Sequence, residues 1–204
     1  EIGGSFRLPD VMAASGTKLV EVGTTNKTHL RDYESAITSN TAAIMRVHPS
    51  NYRIYGFTSQ PPLEDLVRIA HERKITLIDD VGAGALLDFS RFGFKDEPTL
   101  ASSIRAGADI VTSSADKLIG GSQGGIILGR ADLVSAVRRN PFARIVRVGK
   151  LTLAALEATL LLFLDEETAL REVPTLAMLV RGADDLAKQA QRIATAIKTG
   201  TRNA

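Results

Sequence analysis

Residues 106–129, AGADIVTSSADKLIGGSQGGIILG, constrain the fold more than any other part of the chain. The β-branched run at 109–113 reads as a buried strand and 126–128 as a second, so the segment between them must bend and return. Gly120, Gly121, Gly124 and Gly125 lie in or next to that bend and permit backbone conformations closed to other residues. One lysine, Lys117, is thereby delivered to the end of a strand among small side chains, where a flat ligand can approach its amine. An amine in that position suits Schiff-base chemistry, in which lysine condenses with the aldehyde of pyridoxal phosphate. The cofactor then supplies an electron sink, and the protein supplies orientation and charge. A Ser-x-x-Lys turn taken alone is most often a solvated loop, so the reading depends on the rest of the chain.

The preceding sequence alternates strand and helix signals. Pro9 opens a short helix at 9–14, with Gly16 just past its end. TKLVEV at 17–22 alternates like a strand and is broken by Gly23-Thr24-Thr25-Asn26. Thr28 is placed to cap a helix whose Leu30, Tyr33 and Ile37 share a face. A strand at 42–47 runs into His48-Pro49-Ser50-Asn51. Pro61 and Pro62 start a helix with Leu63, Leu66, Val67 and Ala70 at helical spacing. The strand at 75–78 then ends in Asp79 and Asp80, and a helix at 98–105 follows.

This alternation predicts an α/β fold, a mostly parallel sheet with helices on both faces. In such sheets ligands gather at the carboxyl ends of strands. Asn51, Asp79 and Lys117 each fall at or just beyond such an end, so one crevice is expected to collect all three, with Asn51 a candidate cofactor contact.

Beyond the organising stretch, 131–139 reads as a helix, followed by Pro141-Phe142-Ala143 and the cations Arg144, Arg147 and Lys150. Residues 151–164 are apolar nearly all round, as expected of a helix buried between layers or subunits. Pro174 changes the register, and 184–198 is amphipathic through Leu186, Ala190, Ile193 and Ile197. A domain boundary is expected near Asp165. The opening EIGGSF reads like the interior of a longer chain, so the fold is expected to be incomplete at both ends.

Composition narrows the chemistry. The 204 residues include no cysteine, which excludes disulfides, thiolate metal sites and a cysteine nucleophile. A net charge of +2 is too small to argue for nucleic acid by itself. The longest apolar run is interrupted by Thr152, Glu157 and Thr159 and falls short of the roughly 18 residues of a membrane span, so a cytoplasmic protein without a membrane partner is expected. His29, His48 and His71 do not form a metal-ligand spacing, and no metal is expected. GGSQGG lacks the phosphate-loop pattern of nucleotide-binding enzymes.

Several side chains have a chemical reading beside a plainer one. An aspartate ending a buried strand can keep the cofactor's pyridine nitrogen protonated, which is what makes the ring an electron sink. Asp79 directly follows the apolar run and is preferred, with Asp80 its rival; the plainer reading is a cap or surface carboxylate. Ser114 is placed to donate to the cofactor phosphate, or is simply a turn residue. Asp116, beside Lys117, is either a proton donor and acceptor for a leaving group or the partner of a nearby cation. Arg144 and Arg147, three apart, would present two guanidinium forks on one side of a helical turn, a geometry suited to phosphate-like oxyanions, or else form a solvated basic face. His48 is either a contact for a cofactor ring or a structural loop histidine.

Together EIGGSFRLPDVM, EVGTTNKTHLRDYE, VHPSNYRIYGFT, LIDDVGAGAL, SADKLIGGSQGGIILG and RIVRVGKLTLAALEATL give the chain a specific likeness. Over nearly its whole length it resembles the bacterial selenocysteine synthases, the L-seryl-tRNA(Sec) selenium transferases. That family is similar in fold to the aspartate-aminotransferase-like, fold type I enzymes of pyridoxal 5'-phosphate. The resemblance implies that residues 1–165 are part of the cofactor-binding large domain and 166–204 the start of a small carboxyl-terminal domain. It also implies a homo-oligomer, a ring of dimers.

Carried over residue by residue, the resemblance makes Lys117 the Schiff-base lysine and Asp79 the pyridine partner. Asp116, Arg144 and Arg147 become the group around the reacting atoms and the selenium donor. The implied reaction converts seryl-tRNA(Sec) to selenocysteinyl-tRNA(Sec) by β-elimination to an aminoacrylyl intermediate and addition of selenium from selenophosphate. The family's tRNA-recognition region and the upstream cradle for the cofactor phosphate are not in this sequence, so weak cofactor binding and little activity are expected of these residues alone. Two other readings remain open. One is a related pyridoxal phosphate lyase or aldolase for a small amino acid or amino sugar, which would need no arginine pair. The other is a cofactor-free remnant that assembles through 151–164.

Overall fold

Five-residue strands β1 (Ala43–Val47), β2 (Thr76–Asp80), β3 (Ile110–Ser114) and β4 (Gly125–Gly129) form one sheet in the order β1-β2-β3-β4. The computed structural model describes residues 7–200, so the EIGGSF opening lies outside the described residues. β2 and β3 are parallel, with Ile78 opposite Ile110, Asp79 opposite Val111 and Asp80 opposite Thr112. The chain between them carries the helix Leu100–Arg105, as a parallel crossover requires. β4 is antiparallel to β3, with Ser113 opposite Ile126. Residues 115–124 are too short a connection for a crossover of about a dozen residues, so the chain can only turn back on itself.

The helices are α1 (Leu8–Ala14), α2 (Leu30–Ala36), α3 (Leu63–Glu72), α4 (Leu100–Arg105), α5 (Ala131–Arg139), α6 (Pro141–Ile145), α7 (Lys150–Leu162), α8 (Glu166–Glu172), α9 (Pro174–Leu179) and α10 (Ala183–Gly200). Two compact units divide the described chain. The first comprises the described part of Glu1–Met45 with Asn51–Leu77; the second comprises Arg46–Ser50 with the described part of Ile78–Ala204.

In the first unit, α3 buries Leu63, Leu66, Val67, Ile69 and Ala70, and α2 packs against it. α3 ends on Lys74 in the left-handed region, where Ile75 N donates to Ala70 O and Lys74 N to His71 O. These two bonds satisfy carbonyls that the helix end would otherwise orphan. Thr28 does not cap α2: His29 holds that position and donates its N–H to Asp32 Oδ2 at 2.7 Å, while Thr28 N donates to Ser59 O. Residues 17–22 are not a strand. Alternation gives a segment a strand-like face, but a strand exists only with a ladder partner, and here Leu19 and Val20 stay exposed.

In the second unit, Val81, Ala83, Ala85, Phe89, Leu100, Val111, Ala115 and Ile119 are buried together with Ala169, Val173 and Leu176. Within that core, Phe89 and Ala85 join Ala169 of α8, Val173 and Leu176 of α9 in one cluster, and Leu118 packs on it. α7 departs from its expected burial. Thr152 and Leu156 face the glycine-rich loop, but Leu151, Leu153 and Leu161 are exposed in the single chain, as is Leu164 just past the helix end.

Gly84 sits where the two ends of the parallel pair meet. Its φ is +74°, and a Cβ there would stand 2.6 Å from Ser114 O and 2.8 Å from Ser113 Oγ. Gly84→Ala is expected to lower stability by about 2 kcal/mol or more, read as a lower urea midpoint with an unchanged slope.

Candidate active site

The ends of β2 and β3 are tied together before any functional side chain is considered. Val81 N donates to Thr112 O at 2.9 Å, and Ser113 Oγ donates to Val81 O at 2.8 Å. Leu118 N then donates to Ala83 O at 3.0 Å, Ala115 N to Gly124 O and Gly121 N to Ala115 O, both at 2.9 Å. Ala115 and Ile119 are wholly covered on either side of the short exposed segment Asp116-Lys117. Lys117 therefore rides on a bend fixed at both ends, with its side chain exposed and its backbone held.

The glycines of this bend supply backbone freedom, as expected at Gly120, and close packing as well. A Cβ at Gly120, where φ is +68°, would lie 2.4 Å from Val173 Cγ1; one at Gly121 would lie 2.7 Å from Leu156 Cδ1. They let the loop close onto Val173 and α7, so they make room for protein. The glycine that makes room near the amine is Gly82. A Cβ built there would be 3.7 Å from both Lys117 Nζ and Ser50 Oγ, with no other heavy atom within 4 Å. The lysine amine and a serine hydroxyl thus flank one small gap at the carboxyl end of β2.

Asp79 lies three residues before that gap. Its side chain is 0% exposed and takes two bonds from Arg46 on β1, Nε to Oδ1 at 2.6 Å and Nη2 to Oδ2 at 2.8 Å; the arginine is 23% exposed. Asp80 points to the opposite side of the strand, where Oδ1 accepts from Thr112 Oγ1 at 2.6 Å. The two carboxylates that the sequence left as rivals therefore have different partners and faces. His48, two residues beyond Arg46, is tied by its N–H to Asp80 O at 2.9 Å, and its Nδ1 is buried without a hydrogen-bond partner among the described residues.

The remaining candidates divide. Ser114 is half-buried at the last position of β3, opposite Gly125. Asp116 is exposed beside Lys117, and neither side chain has a polar partner among the described residues. Asn51 lies in an exposed turn and belongs to the first unit, whereas Lys117, Asp79, Ser50 and His48 belong to the second. Arg144 and Arg147 are both exposed but do not share a helical turn: α6 ends at Ile145, and Arg147 falls in the connection before the Gly149 cap of α7. Arg46 and Ser50 were not read from the sequence. The signal for Arg46 was a lone cation inside the apolar strand AIMRV; for Ser50 it was a place one residue before Asn51 in the same strand-end loop.

Chemically, this part of the second unit offers a primary amine, a hydroxyl, an imidazole nitrogen lacking a partner and a carboxylate with an arginine behind it. An amine at a gap can condense with a carbonyl compound, and the orphaned His48 nitrogen fits a polar ligand group in place of a missing protein partner. The donor set fits an aldehyde cofactor with a ring nitrogen.

Comparison with known proteins identifies the family. An L-seryl-tRNA selenium transferase of Alkaliphilus metalliredigens is 54% identical over 190 residues, covering 93% of this chain and 41% of its own length. One from Desulfovibrio desulfuricans is 54% identical over 200 residues, covering 98% and 42%. The chain thus spans about two fifths of the length of these relatives. Among solved structures, a D-glucosaminate-6-phosphate ammonia-lyase superposes with a TM-score of 0.61 at 25% identity, over 76% of this chain and 38% of that one. An alanine aminotransferase from Pyrococcus furiosus, at 22% identity and a TM-score of 0.51 over 73% and 39%, shares the fold alone. The family described as L-seryl-tRNA selenium transferase matches residues 1–204, and the chain belongs to that family.

Proposed function

We propose that this chain carries the cofactor-binding lysine and the reacting-centre residues of a pyridoxal phosphate enzyme that converts seryl-tRNA(Sec) to selenocysteinyl-tRNA(Sec) with selenophosphate. The observation that carries the reading is the gap at Gly82, flanked by Lys117 Nζ and Ser50 Oγ, in a chain more than half identical to selenium transferases. In this reading Lys117 holds the cofactor through its amine, Asp79 accepts from the ring nitrogen, and Ser114 and Asn51 contact the cofactor. When bound, the cofactor supplies an electron sink for breaking the bond to the α-proton of the seryl group.

The chain's own groups then have separate tasks. Lys117, displaced by the seryl amine, takes the α-proton on Nζ. Asp116, one residue away and exposed, passes a proton to the seryl hydroxyl as it leaves as water. Arg144 and Arg147 bind the phosphate oxygens of selenophosphate, so that selenium adds to the β-carbon, the selenium–phosphorus bond breaks, and water takes up the phosphoryl group, which departs as phosphate. Because the two arginines sit on either side of the α6 end, both can meet a single phosphate only if residues 146–149 bring them together around it.

The division near Asp165 into a large-domain part and the start of a small domain belongs to the same proposal, as does assembly with further copies of the chain, which would cover the exposed leucines of α7. No helix among the described residues is long and apolar enough to cross a membrane. The likeness to the ammonia-lyase favours a second reading, a lyase for a small amino sugar; such an enzyme would have no use for selenophosphate or for seryl-tRNA.

Three expected outcomes test the proposal in the full-length protein. Lys117→Ala removes the cofactor's long-wavelength absorption band, and retention of a wild-type band sinks the lysine assignment. Arg144→Ala and Arg147→Ala each raise the apparent KM for selenophosphate by about tenfold or more in a selenium-transfer assay on seryl-tRNA, the scale of one lost charge-assisted bond. Unchanged transfer in both variants removes the donor-site assignment. Gly82→Val leaves the urea midpoint close to wild type but weakens cofactor binding, because its side chain fills the gap beside the amine; equal affinity means the gap is not the cofactor's place.

A further inference from the structure

We propose that Arg46 is the positioning residue of this site: it holds Asp79 so that the carboxylate's free lone pairs receive the protonated ring nitrogen of the cofactor. The proposal rests on the cofactor reading above. Arg46 and Asp79 stand on adjacent strands 33 residues apart in sequence, joined fork to fork by two short bonds. An arginine offers only donors, so this contact presents both Asp79 oxygens as acceptors. A carboxylate has about four acceptor positions; Arg46 fills two, and the other two lie in the plane that the guanidinium fixes. The Asp79 side chain is fully covered, so it is the arginine fork, and not bulk solvent, that orients it.

A purely structural role accounts poorly for the pair. A buried ion pair adds little stability over apolar residues of the same shape, whereas losing one partner is costly. Here the pair sits at the strand ends, with His48 two residues beyond Arg46 and Gly82 three beyond Asp79. The other charged groups of this neighbourhood do not replace it. Asp80 is turned away and taken by Thr112, while Lys117 lies at the gap beside Gly82. Arg46 is also better suited than lysine would be, because a planar fork orients a carboxylate and a point charge does not.

The test is the nitrogen-15 resonance of the ring nitrogen, recorded with isotopically labelled pyridoxal phosphate bound to the full-length protein, together with the cofactor dissociation constant. In the wild type the resonance lies near the protonated value. Arg46→Gln, which removes the cation and half of the fork, is expected to move it toward the unprotonated value and to raise the dissociation constant about tenfold or more. Arg46→Lys keeps the cation but meets one oxygen at a time, so it is expected to move both quantities part of the way. A wild-type resonance and affinity in either variant, with unchanged circular dichroism, overturns the positioning role. Asp79→Asn separates the layers of the argument. If it leaves the resonance at the protonated value, Asp79 is not the ring's partner, and both that assignment and the present proposal fall. If the wild type gives no bound-cofactor signal at all, the cofactor reading itself fails and takes the proposal with it.

Discussion

The parallel pairing of β2 with β3 is the constraint on which the site depends. Its register sets Asp79 opposite Val111 and Asp80 opposite Thr112, and strand side chains alternate between faces. A slip of one residue would exchange the two aspartates: the one now paired with Arg46 would turn to the Thr112 side, and the other would be brought inward. The apolar residues protect against that slip, since Leu77 and Val81, which alternate with Asp79, are fully buried. The hydrophobic pattern of one strand therefore determines which carboxylate is turned inward to Arg46 and which to Thr112.

The same pairing explains why the lysine can be exposed yet well placed. Its own side chain contributes nothing to holding the bend. Backbone bonds from Leu118 to Ala83 and from Ala115 to Gly124 do so, with Ile119 buried and Leu118 set on the cluster of Ala85, Phe89, Ala169, Val173 and Leu176. Burial and exposure are divided within one tetrapeptide: Asp116 and Lys117 face outward, Leu118 and Ile119 inward, so the exposed pair is free of the packing that holds the bend.

Much of this was legible in the sequence, and the failures have identifiable causes. The strand at 109–113 and the helix at 131–139 are observed as Ile110–Ser114 and Ala131–Arg139, because in both a strong local period coincides with glycine or polar breaks at the ends. TKLVEV failed because periodicity reports a face and not the neighbour that must cover it. Arg147 fell off its expected helical turn because spacing of three implies a shared face only if the helix continues, and α6 stops at Ile145. Arg46 was missed for a deeper reason: its significance arises only when β1 lies beside β2, and strand adjacency is not written in either segment. The glycines of the lysine bend were read for their backbone freedom, which Gly120 uses, but nothing local reveals that Val173 and Leu156 come to rest on them.

That last contact ties distant parts of the chain into one cooperative block. Gly120 touches Val173 and Leu118 shares a cluster with Leu176, so loosening α8 and α9 removes the floor beneath the bend as well. Residues fifty or more positions downstream thus govern how rigidly the amine is presented. Large-to-small substitutions among them would slacken the bend and the core together.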